Sequence, residues 1–161
     1  AILMPTLTFE ADAPGVAYDL LLQDRFPSWL YSVDQGATTV WERWNGYTKE
    51  KGFGPVMMNS FNHYAYGCVL EWIFSAAAGI RPDPKGGWGH FVLRPYPDRR
   101  LGSLAASYRS PAGLIRSEWA YGEDGVFRWT FEIPEGTTAT VTTPDGRTEE
   151  LGAGKHEREV R

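Results

Sequence analysis

The sequence predicts an α+β protein in which a helical region precedes an antiparallel β-sandwich. Apolar residues recur every three or four positions as far as Gly79, which is the periodicity of helices. Turn-forming residues then concentrate in RPDPKGGWG, residues 81–89, and beyond them apolar and polar residues alternate with a period of two. We therefore expect two domains, a helical one at residues 1–80 and a β-sandwich at residues 81–161.

Two helices are predicted before residue 46. Residues 15–25, GVAYDLLLQDR, place apolar side chains at helical spacing, so a short amphipathic helix is expected there. A second helix is expected to begin in GATTVWERW, where the hydroxyl of Thr38 or Thr39 can cap its N-terminus. Glu42 follows Thr39 by three residues, which is the spacing of a capping box.

The strongest helical pattern covers residues 57–79, after a Gly-rich loop at residues 46–56. Asn59 or Ser60 can cap this helix, and Gly79 can end it. The helix is apolar on nearly all sides, as expected of one packed on both sides in the inner ring of a helical barrel. Three helices cannot close such a barrel, and the apolar surface left open would exceed what soluble monomers expose. We therefore expect the chain to be truncated at its N-terminus.

Six strands are predicted after the turn-rich segment, because each stretch alternates and is bounded by turn residues. In one of them Trp129 shares a face with Phe127 and Phe131, and the same alternation assigns Trp119 to the core. GGWG at residues 86–89 is too short for a phosphate-binding loop, so we interpret it as a linker turn. The six stretches are HFVLRPYP, LGSLAASYRS, GLIRSEWAYG, GVFRWTFEIP, TTATVTTPDGR and KHEREVR.

Composition and charge argue against several classes of partner. The net charge is -4, the isoelectric point is near 5.4, and Lys and Arg form no block, so no nucleic-acid partner is expected. No apolar run approaches the ~18 residues of a membrane span, and the first residues have no export signal. Cys68 is the single cysteine and cannot form an internal disulfide. This usage fits a reducing compartment, and we expect a cytoplasmic protein without a membrane partner.

Two polar side chains that can bind hydroxyls or move protons, Glu42 and His63, lie in aromatic surroundings. Trp29, Trp41 and Trp44 are near Glu42 in sequence, and further aromatic residues flank His63. Aromatic rings offer apolar faces to the C–H face of a sugar, and a carboxylate or imidazole can bind its hydroxyls or transfer protons. We therefore predict a sugar site built from these five residues. Trp41 and Trp44 lie three apart on a predicted helical face, so one is expected to line the pocket and the other to pack in the core.

Each candidate also has a structural interpretation. Glu42 is consistent both with a helix cap worth about 1 kcal/mol and with a general base. His63 is consistent both with a core residue and with a ligand, and no residue within four positions completes a metal site, so no metal or cofactor is expected. Cys68 would point to another side of the predicted helix, which argues against a His63–Cys68 nucleophile. Asp34 is interpreted as a loop residue.

The stretches DQGATTVWERWNG and SFNHYAYG resemble, closely and in order, the C-terminal end of the catalytic domain of bacterial α-L-rhamnosidases, glycoside hydrolase family 78. GWGHFVLRPYP and the SPAGLI and IPEGTTATV segments are similar to the C-terminal β-sandwich of that family. The resemblance implies that residues 1–80 supply the last helices of an (α/α)6 barrel. It also implies that Glu42 is the general base and that His63 contacts the bound rhamnose.

The function implied by the resemblance is hydrolysis of terminal α-L-rhamnose from glycosides, with inversion at the anomeric carbon. The expected partners are a rhamnose-containing glycoside and the missing N-terminal part of the same polypeptide, which would carry the general acid. We expect the isolated chain to be inactive. Two alternatives remain open, a sugar-binding or structural module and a different (α/α)-barrel glycosidase.

Overall fold

Short helices precede a six-stranded sheet in the computed structural model, which describes residues 2–161. The chain divides into two units, Ala1–Glu71 and Trp72–Arg161. The predicted α+β class is confirmed, because the helices lie in the first half of the chain and the long strands in the second.

Two helical segments lie within residues 3–22. Helix α1, Leu3–Pro5, continues as a π-helical turn over Thr6–Glu10, and neither was predicted. Helix α2, Pro14–Leu22, confirms the helix expected at residues 15–25. Proline suits its first turn because a helix leaves that N–H unpaired. Within residues 2–161, no helix is both long and apolar enough to cross a membrane.

Helix α3, Trp29–Asp34, stands where no helix was predicted. Its N-terminus is capped by Ser28, whose hydroxyl oxygen accepts a 3.0 Å hydrogen bond from the backbone N–H of Tyr31. This helix places Trp29 and Ser32 on the wall of a pocket in the first unit.

The prediction of a helix that begins at Thr38 or Thr39 is wrong, because residues 37–46 form bends and turns. The backbone there pairs with a later segment instead, and the N–H of Glu42 donates to the carbonyl oxygen of Ser60 at 2.8 Å. A hydrogen bond made across the fold occupies backbone groups that a helix would need, so tertiary pairing prevails over the local capping pattern.

The helical run within residues 57–79 is shorter than predicted. It begins as a 3₁₀-helix at Ala65–Cys68, continues as α4, Val69–Trp72, and ends as a π-helical segment, Ile73–Ala77. Asn59 is not its cap, because the Asn59 side-chain amide donates to a loop carbonyl at 3.1 Å.

Gly79 ends the helical run, as predicted, with a φ of +76°. A Cβ at this position would lie 2.2 Å from the backbone of Arg94. The N–H of Arg94 donates to the Gly79 carbonyl oxygen at 2.9 Å, so glycine permits this close approach where the sheet begins.

A small hairpin interrupts the loop predicted at residues 46–56. Its strands, β1 at Tyr47–Thr48 and β2 at Gly52–Phe53, pair in antiparallel fashion.

Six further strands form the sheet of the second unit. Two predicted strands, at residues 125–134 and 137–147, are joined in one long strand, and GGWG lies partly in a strand rather than in a linker turn. The strands are β3 at Ile80–Asp83, β4 at Gly87–Leu93, β5 at Ser103–Ser110, β6 at Gly113–Tyr121, β7 at Phe127–Thr142 and β8 at Thr148–Val160.

The strand order is β3-β4-β7-β6-β5, with β8 also paired to β7. All these pairs are antiparallel, as predicted, except β4 with β7, which is parallel. The first part of β7 pairs with β6, and the part from Thr138 onward pairs with β4. A register shift between Ile133 and Thr138 separates the two parts, and irregularities of this kind bend a strand. The two halves of the sheet therefore share one core in a sandwich-like arrangement.

The core confirms the alternation read from the sequence. Phe127, Trp129 and Phe131 are buried on one face of β7, while Arg128 on the other face is exposed. Side chains of β4 and of the second part of β7 join the same cluster, including Phe91, Leu93 and Val141.

A chain of buried hydrogen bonds joins this core to the end of the helical run. The indole N–H of Trp129 donates to Ser117 Oγ at 2.9 Å, and that hydroxyl donates to the Ala78 carbonyl oxygen at 2.6 Å. The indole of Trp119 donates to the Ala77 carbonyl oxygen at 2.8 Å. The last carbonyls of a helix lack helical partners, so these side chains satisfy groups that burial would otherwise leave unpaired.

An ion pair on the surface of the second unit gives a testable titration. The guanidinium of Arg128 donates two hydrogen bonds to Asp124, at 3.0 and 2.6 Å, and together with the N–H of Val126 it lowers the pKa of that carboxyl from 3.8 to about 2. The folded pKa lies below the unfolded one, so the pair stabilises the fold above pH about 4 and loses this effect as pH falls toward 2.

Carboxyl carbon shifts followed by NMR during acid titration should give the low pKa in the native protein. Arg128→Gln should raise the pKa of Asp124 toward 3.8. Glu159→Gln removes only the other partner of Arg128 and is the matched control, because it leaves the Asp124 contact in place. An unchanged pKa in Arg128→Gln would contradict this assignment.

Candidate functional site

Two segments that are far apart in the sequence run side by side in the first unit. The N–H of His63 donates to the Val40 carbonyl oxygen at 2.8 Å, two residues from the place where Glu42 donates to Ser60. The hydroxyl of Thr39 also donates to the Phe61 carbonyl oxygen. These bonds bring Glu42 and His63 onto neighbouring backbone segments although 21 positions separate them in the sequence.

The carboxylate of Glu42 is held at one oxygen. Its Oε2 accepts a 2.8 Å hydrogen bond from the backbone N–H of Ser60, and the residue is half-buried. Among residues 2–161, no partner engages Oε1. The side chain caps a neighbouring loop rather than its own helix, and one carboxylate oxygen remains able to accept a proton or a hydrogen bond.

The imidazole of His63 is oriented by its own backbone. Its Nδ1 accepts a 3.2 Å hydrogen bond from the N–H of Ala65, so in the neutral ring the proton is on Nε2. The ring stacks on Tyr64, with centroids 5.3 Å apart and planes 8° apart. His63 lies just before the helical run that begins at Ala65, not within a helix as predicted. This geometry leaves an Nε2–H that can donate to a hydroxyl.

The three tryptophans singled out from the sequence line one pocket of about 260 Å³. Trp44 stacks on Tyr66 with centroids 4.5 Å apart, and Trp29 meets Trp44 edge-on at 5.5 Å. The indole N–H of Trp29 donates to the Tyr66 carbonyl oxygen at 3.0 Å. Trp41 also lines the pocket, although it is only 7% exposed. These contacts fix the rings in mutually perpendicular and stacked orientations.

The reasoning that placed Trp41 and Trp44 on one helical face is wrong, because that helix is absent. Both rings line the pocket, and Trp41, only 7% exposed, also packs in the core against Phe61. Neither Glu42 nor His63 is among the lining residues.

One polar side chain of this pocket, that of Ser32, escaped the sequence reasoning. Its Oγ and the Nε1 of the predicted site residue Trp44 are buried and have no hydrogen-bond partner in the part of the chain that the structure describes. A helix that was not predicted brings Ser32 to the pocket, so only its capping signal, the serine at position 28, could have indicated it. Asp34 lies exposed at the end of the same helix.

Metal ligands do not gather around these residues. Across residues 2–161, no group of three or more His, Cys, Asp or Glu side chains has the placement needed to hold a metal ion. The functional groups that the described residues do supply are a carboxylate, an imidazole and aromatic ring faces.

Two family models match the chain in succession. The model of the bacterial α-L-rhamnosidase 6 hairpin glycosidase domain matches residues 1–77. The model of the bacterial α-L-rhamnosidase C-terminal domain matches residues 79–159.

Curated proteins and solved structures give the same picture. An α-L-rhamnosidase of Formosa agariphila is 39% identical over 91% of this chain and 16% of its own length, and one of Streptomyces avermitilis is 43% identical over 88% of this chain and 14% of its own length. The crystal structure of Streptomyces avermitilis α-L-rhamnosidase complexed with L-rhamnose superimposes with a TM-score of 0.88 and 38% identity. It covers 99% of this chain, and the chain covers 17% of it. The chain thus spans about one sixth of the length of these relatives.

Proposed function

The chain belongs to the bacterial α-L-rhamnosidase family, and from this premise we propose that it forms the C-terminal part of an inverting glycoside hydrolase that removes terminal α-L-rhamnose from glycosides. The relatives are about six to seven times as long as the stretch they share with it. The activity therefore requires residues of a longer polypeptide, among them the general acid.

In this proposal Glu42 is the general base. An inverting enzyme needs a carboxylate that takes a proton from water as the water attacks the anomeric carbon, about 6.5–9.5 Å from the acid that protonates the departing oxygen. The observation that carries the proposal is the state of the Glu42 carboxylate, anchored through Oε2 by Ser60 with Oε1 unengaged among residues 2–161. Such a carboxylate is oriented and still has lone pairs for a water proton.

His63 and the tryptophans bind the sugar in this proposal. The Nε2–H of His63 donates to a hydroxyl of the rhamnose, since Nδ1 is occupied by the Ala65 N–H. Trp29, Trp41 and Trp44 supply ring faces and edges for the C–H groups of the glycoside from their pocket of about 260 Å³.

Two finer features belong to the same proposal. Residues 1–80 are the last helices of an (α/α)6 barrel, and residues 81–161 form the C-terminal sandwich domain. The protein is cytoplasmic, and its single cysteine, the free thiol of Cys68, supports a reducing compartment. Fractionation of the producing cell, followed with an antibody against the chain, tests the compartment.

The alternatives differ in the substrate that the longer polypeptide cleaves. A different (α/α)-barrel glycosidase would hydrolyse another 4-nitrophenyl glycoside in preference to the α-L-rhamnoside. A binding or structural module would hydrolyse none. The aromatic pocket is the observation that favours a binding role, since ring faces can pack on the C–H face of a sugar without any catalytic group.

Replacing His63 by alanine in the longer enzyme should raise KM and lower kcat together, with kcat/KM for 4-nitrophenyl α-L-rhamnoside falling about fivefold. A lost hydrogen bond costs about 1 kcal/mol, which corresponds to roughly that factor. Asn62→Ala changes an exposed neighbouring residue and is the matched control, expected to stay within about twofold. Kinetics of His63→Ala indistinguishable from those of Asn62→Ala would remove His63 from the site.

A further inference from the structure

The paired segments that carry Glu42 and His63 are joined by one further hydrogen bond, which comes from a side chain. The amide Nδ2 of Asn59 donates to the Gly46 carbonyl oxygen at 3.1 Å. Asn59 precedes Ser60, and Gly46 lies four residues after Glu42. The bond therefore ties the two segments together at a point beyond the backbone pair of Glu42 with Ser60.

Two glycines make room for the Asn59 amide. A Cβ at Gly46 would lie 2.7 Å from Asn59 Oδ1, and a Cβ at Gly54 would lie 3.2 Å from Asn59 Nδ2. The N–H of Gly54 donates to the same Gly46 carbonyl oxygen at 2.8 Å. The amide is therefore closely packed between two glycines, and the carbonyl that it binds is also held from a second side.

The Asn59 side chain is retained although one of its polar atoms is unsatisfied. Its Oδ1 is buried and has no hydrogen-bond partner among residues 2–161. A buried acceptor without a donor lowers stability, so its presence in a folded protein calls for a compensating role. The bond from Nδ2 to Gly46 supplies such a role, because it fixes where residues 59 and 60 lie.

We propose that Asn59 is a positioning residue for the general base. The Glu42 carboxylate is oriented through Oε2, which accepts a 2.8 Å hydrogen bond from the N–H of Ser60, the residue that follows Asn59. The backbone pair and the Asn59 bond fix this segment at two points, so the Ser60 N–H keeps one direction. Without the Asn59 bond the segment can turn about the backbone pair, and the carboxylate turns with it. This role rests on the proposed function, because only a base needs its carboxylate aimed at the reacting water.

Replacing Asn59 by alanine in the longer enzyme should lower kcat for 4-nitrophenyl α-L-rhamnoside by about 10–100-fold and leave KM within a few-fold, since a small displacement of a catalytic group costs that much rate. Gly46→Ala should lower kcat in the same way, because its Cβ displaces the Asn59 amide while the backbone at this position suits alanine. Asn62→Ala changes an exposed asparagine of the same segment and is the matched control, expected to stay within about twofold.

A double-mutant cycle with Glu42→Gln separates positioning from a general loss of structure. If Asn59 acts through the base, Asn59→Ala should change kcat of the Glu42→Gln enzyme by no more than about twofold, because no base is left to position. A merely structural role would lower kcat by the same factor in both backgrounds. Hydrogen exchange at the Ser60 amide, resolved by mass spectrometry of the longer enzyme, should be about tenfold faster in Asn59→Ala and in Gly46→Ala than in the parent.

Three results would overturn the inference. The first is a kcat of Asn59→Ala equal to that of Asn62→Ala, and the second is an equal loss of kcat in both backgrounds of the cycle. The third is exchange at Ser60 that stays as slow in Gly46→Ala as in the parent, a comparison that does not depend on the folding of Asn59→Ala.

Glu42→Gln alone distinguishes failure of this inference from failure of the proposed function. A large loss of kcat in Glu42→Gln, combined with parent-like kinetics of Asn59→Ala, would reject the positioning role and leave Glu42 as the base. A near-normal kcat of Glu42→Gln would reject both.

Discussion

Replacing Glu42 by glutamine should lower kcat of the longer enzyme by about 10²–10⁴-fold while leaving KM within a few-fold. The amide has the size of the carboxylate, and its oxygen can still accept the hydrogen bond from the Ser60 N–H at 2.8 Å. It cannot take a proton from water at neutral pH, so the loss falls on the chemical step. Steady-state kinetics with 4-nitrophenyl α-L-rhamnoside measure both constants.

Glu71→Gln is the matched control for this prediction, because Glu71 is an exposed glutamate in α4. Its kcat should remain within about twofold of the parent. A near-normal kcat for Glu42→Gln, together with a lowered Tm, would show that Glu42 is not the base and that it only stabilises the fold through its contact with Ser60.

Replacing Trp129 by alanine should lower the free energy of unfolding of the second unit by about 3–5 kcal/mol. The side chain is 1% exposed, its ring lies 4.3 Å from that of Phe131, and its N–H donates to Ser117. Truncation therefore removes buried apolar surface, opens a cavity and leaves Ser117 with one partner fewer. Urea denaturation followed through the amide signals of β6 and β7 gives the free energy.

Two variants separate the contributions to this loss. Trp129→Phe keeps an aromatic ring but removes the indole N–H that donates to Ser117. Ser117 still donates to the Ala78 carbonyl oxygen, so the loss of the Trp129–Ser117 hydrogen bond should lower the free energy of unfolding by about 1 kcal/mol. Thr130→Ala changes the opposite face of β7 and should cost no more than about 0.5 kcal/mol. A cost below about 1 kcal/mol for Trp129→Ala would show that the core does not depend on this ring.

The sheet was largely predictable because its signal is local. Alternation with a period of two assigned the inward faces of β6 and β7, including Trp119, Trp129 and Phe131, before any pairing was known. The parallel pairing of β4 with β7 was missed because it joins residues 48 positions apart, such as His90 and Thr138, and alternation carries no information on the partner.

The helical half was less predictable because contacts across the fold decide it. Thr39 and Glu42 have the spacing of a capping box, but no helix forms there. The backbone N–H and the carboxylate of Glu42 instead form hydrogen bonds with Ser60. The helix at Trp29–Asp34 carried only a serine cap as a signal, followed by too few residues to show a period.

The candidate site was predictable in composition but not in arrangement. Trp29, Trp41 and Trp44 share a pocket, as their aromatic character suggested, although the helix invoked to explain it does not form. Ser32 was overlooked because the helix that brings it to the pocket was not predicted, and its burial could not be known from the sequence. Burial and partner choice are properties of the packed chain, and a single sequence does not contain them explicitly.

The most direct test of Glu42 as the base of an inverting hydrolase is the product formed by the Glu42→Gln enzyme in the presence of azide. A small anion can enter the space of the missing base and attack the anomeric carbon without needing to lose a proton. The account predicts that azide restores turnover and that the product, identified by ¹H NMR, is the β-linked rhamnosyl azide, since attack opposite to an α-linked leaving group inverts that centre. Two results would contradict the account. One is an α-linked rhamnosyl azide as the product. The other is a Glu42→Gln enzyme whose kcat is close to that of the parent and does not change when azide is added.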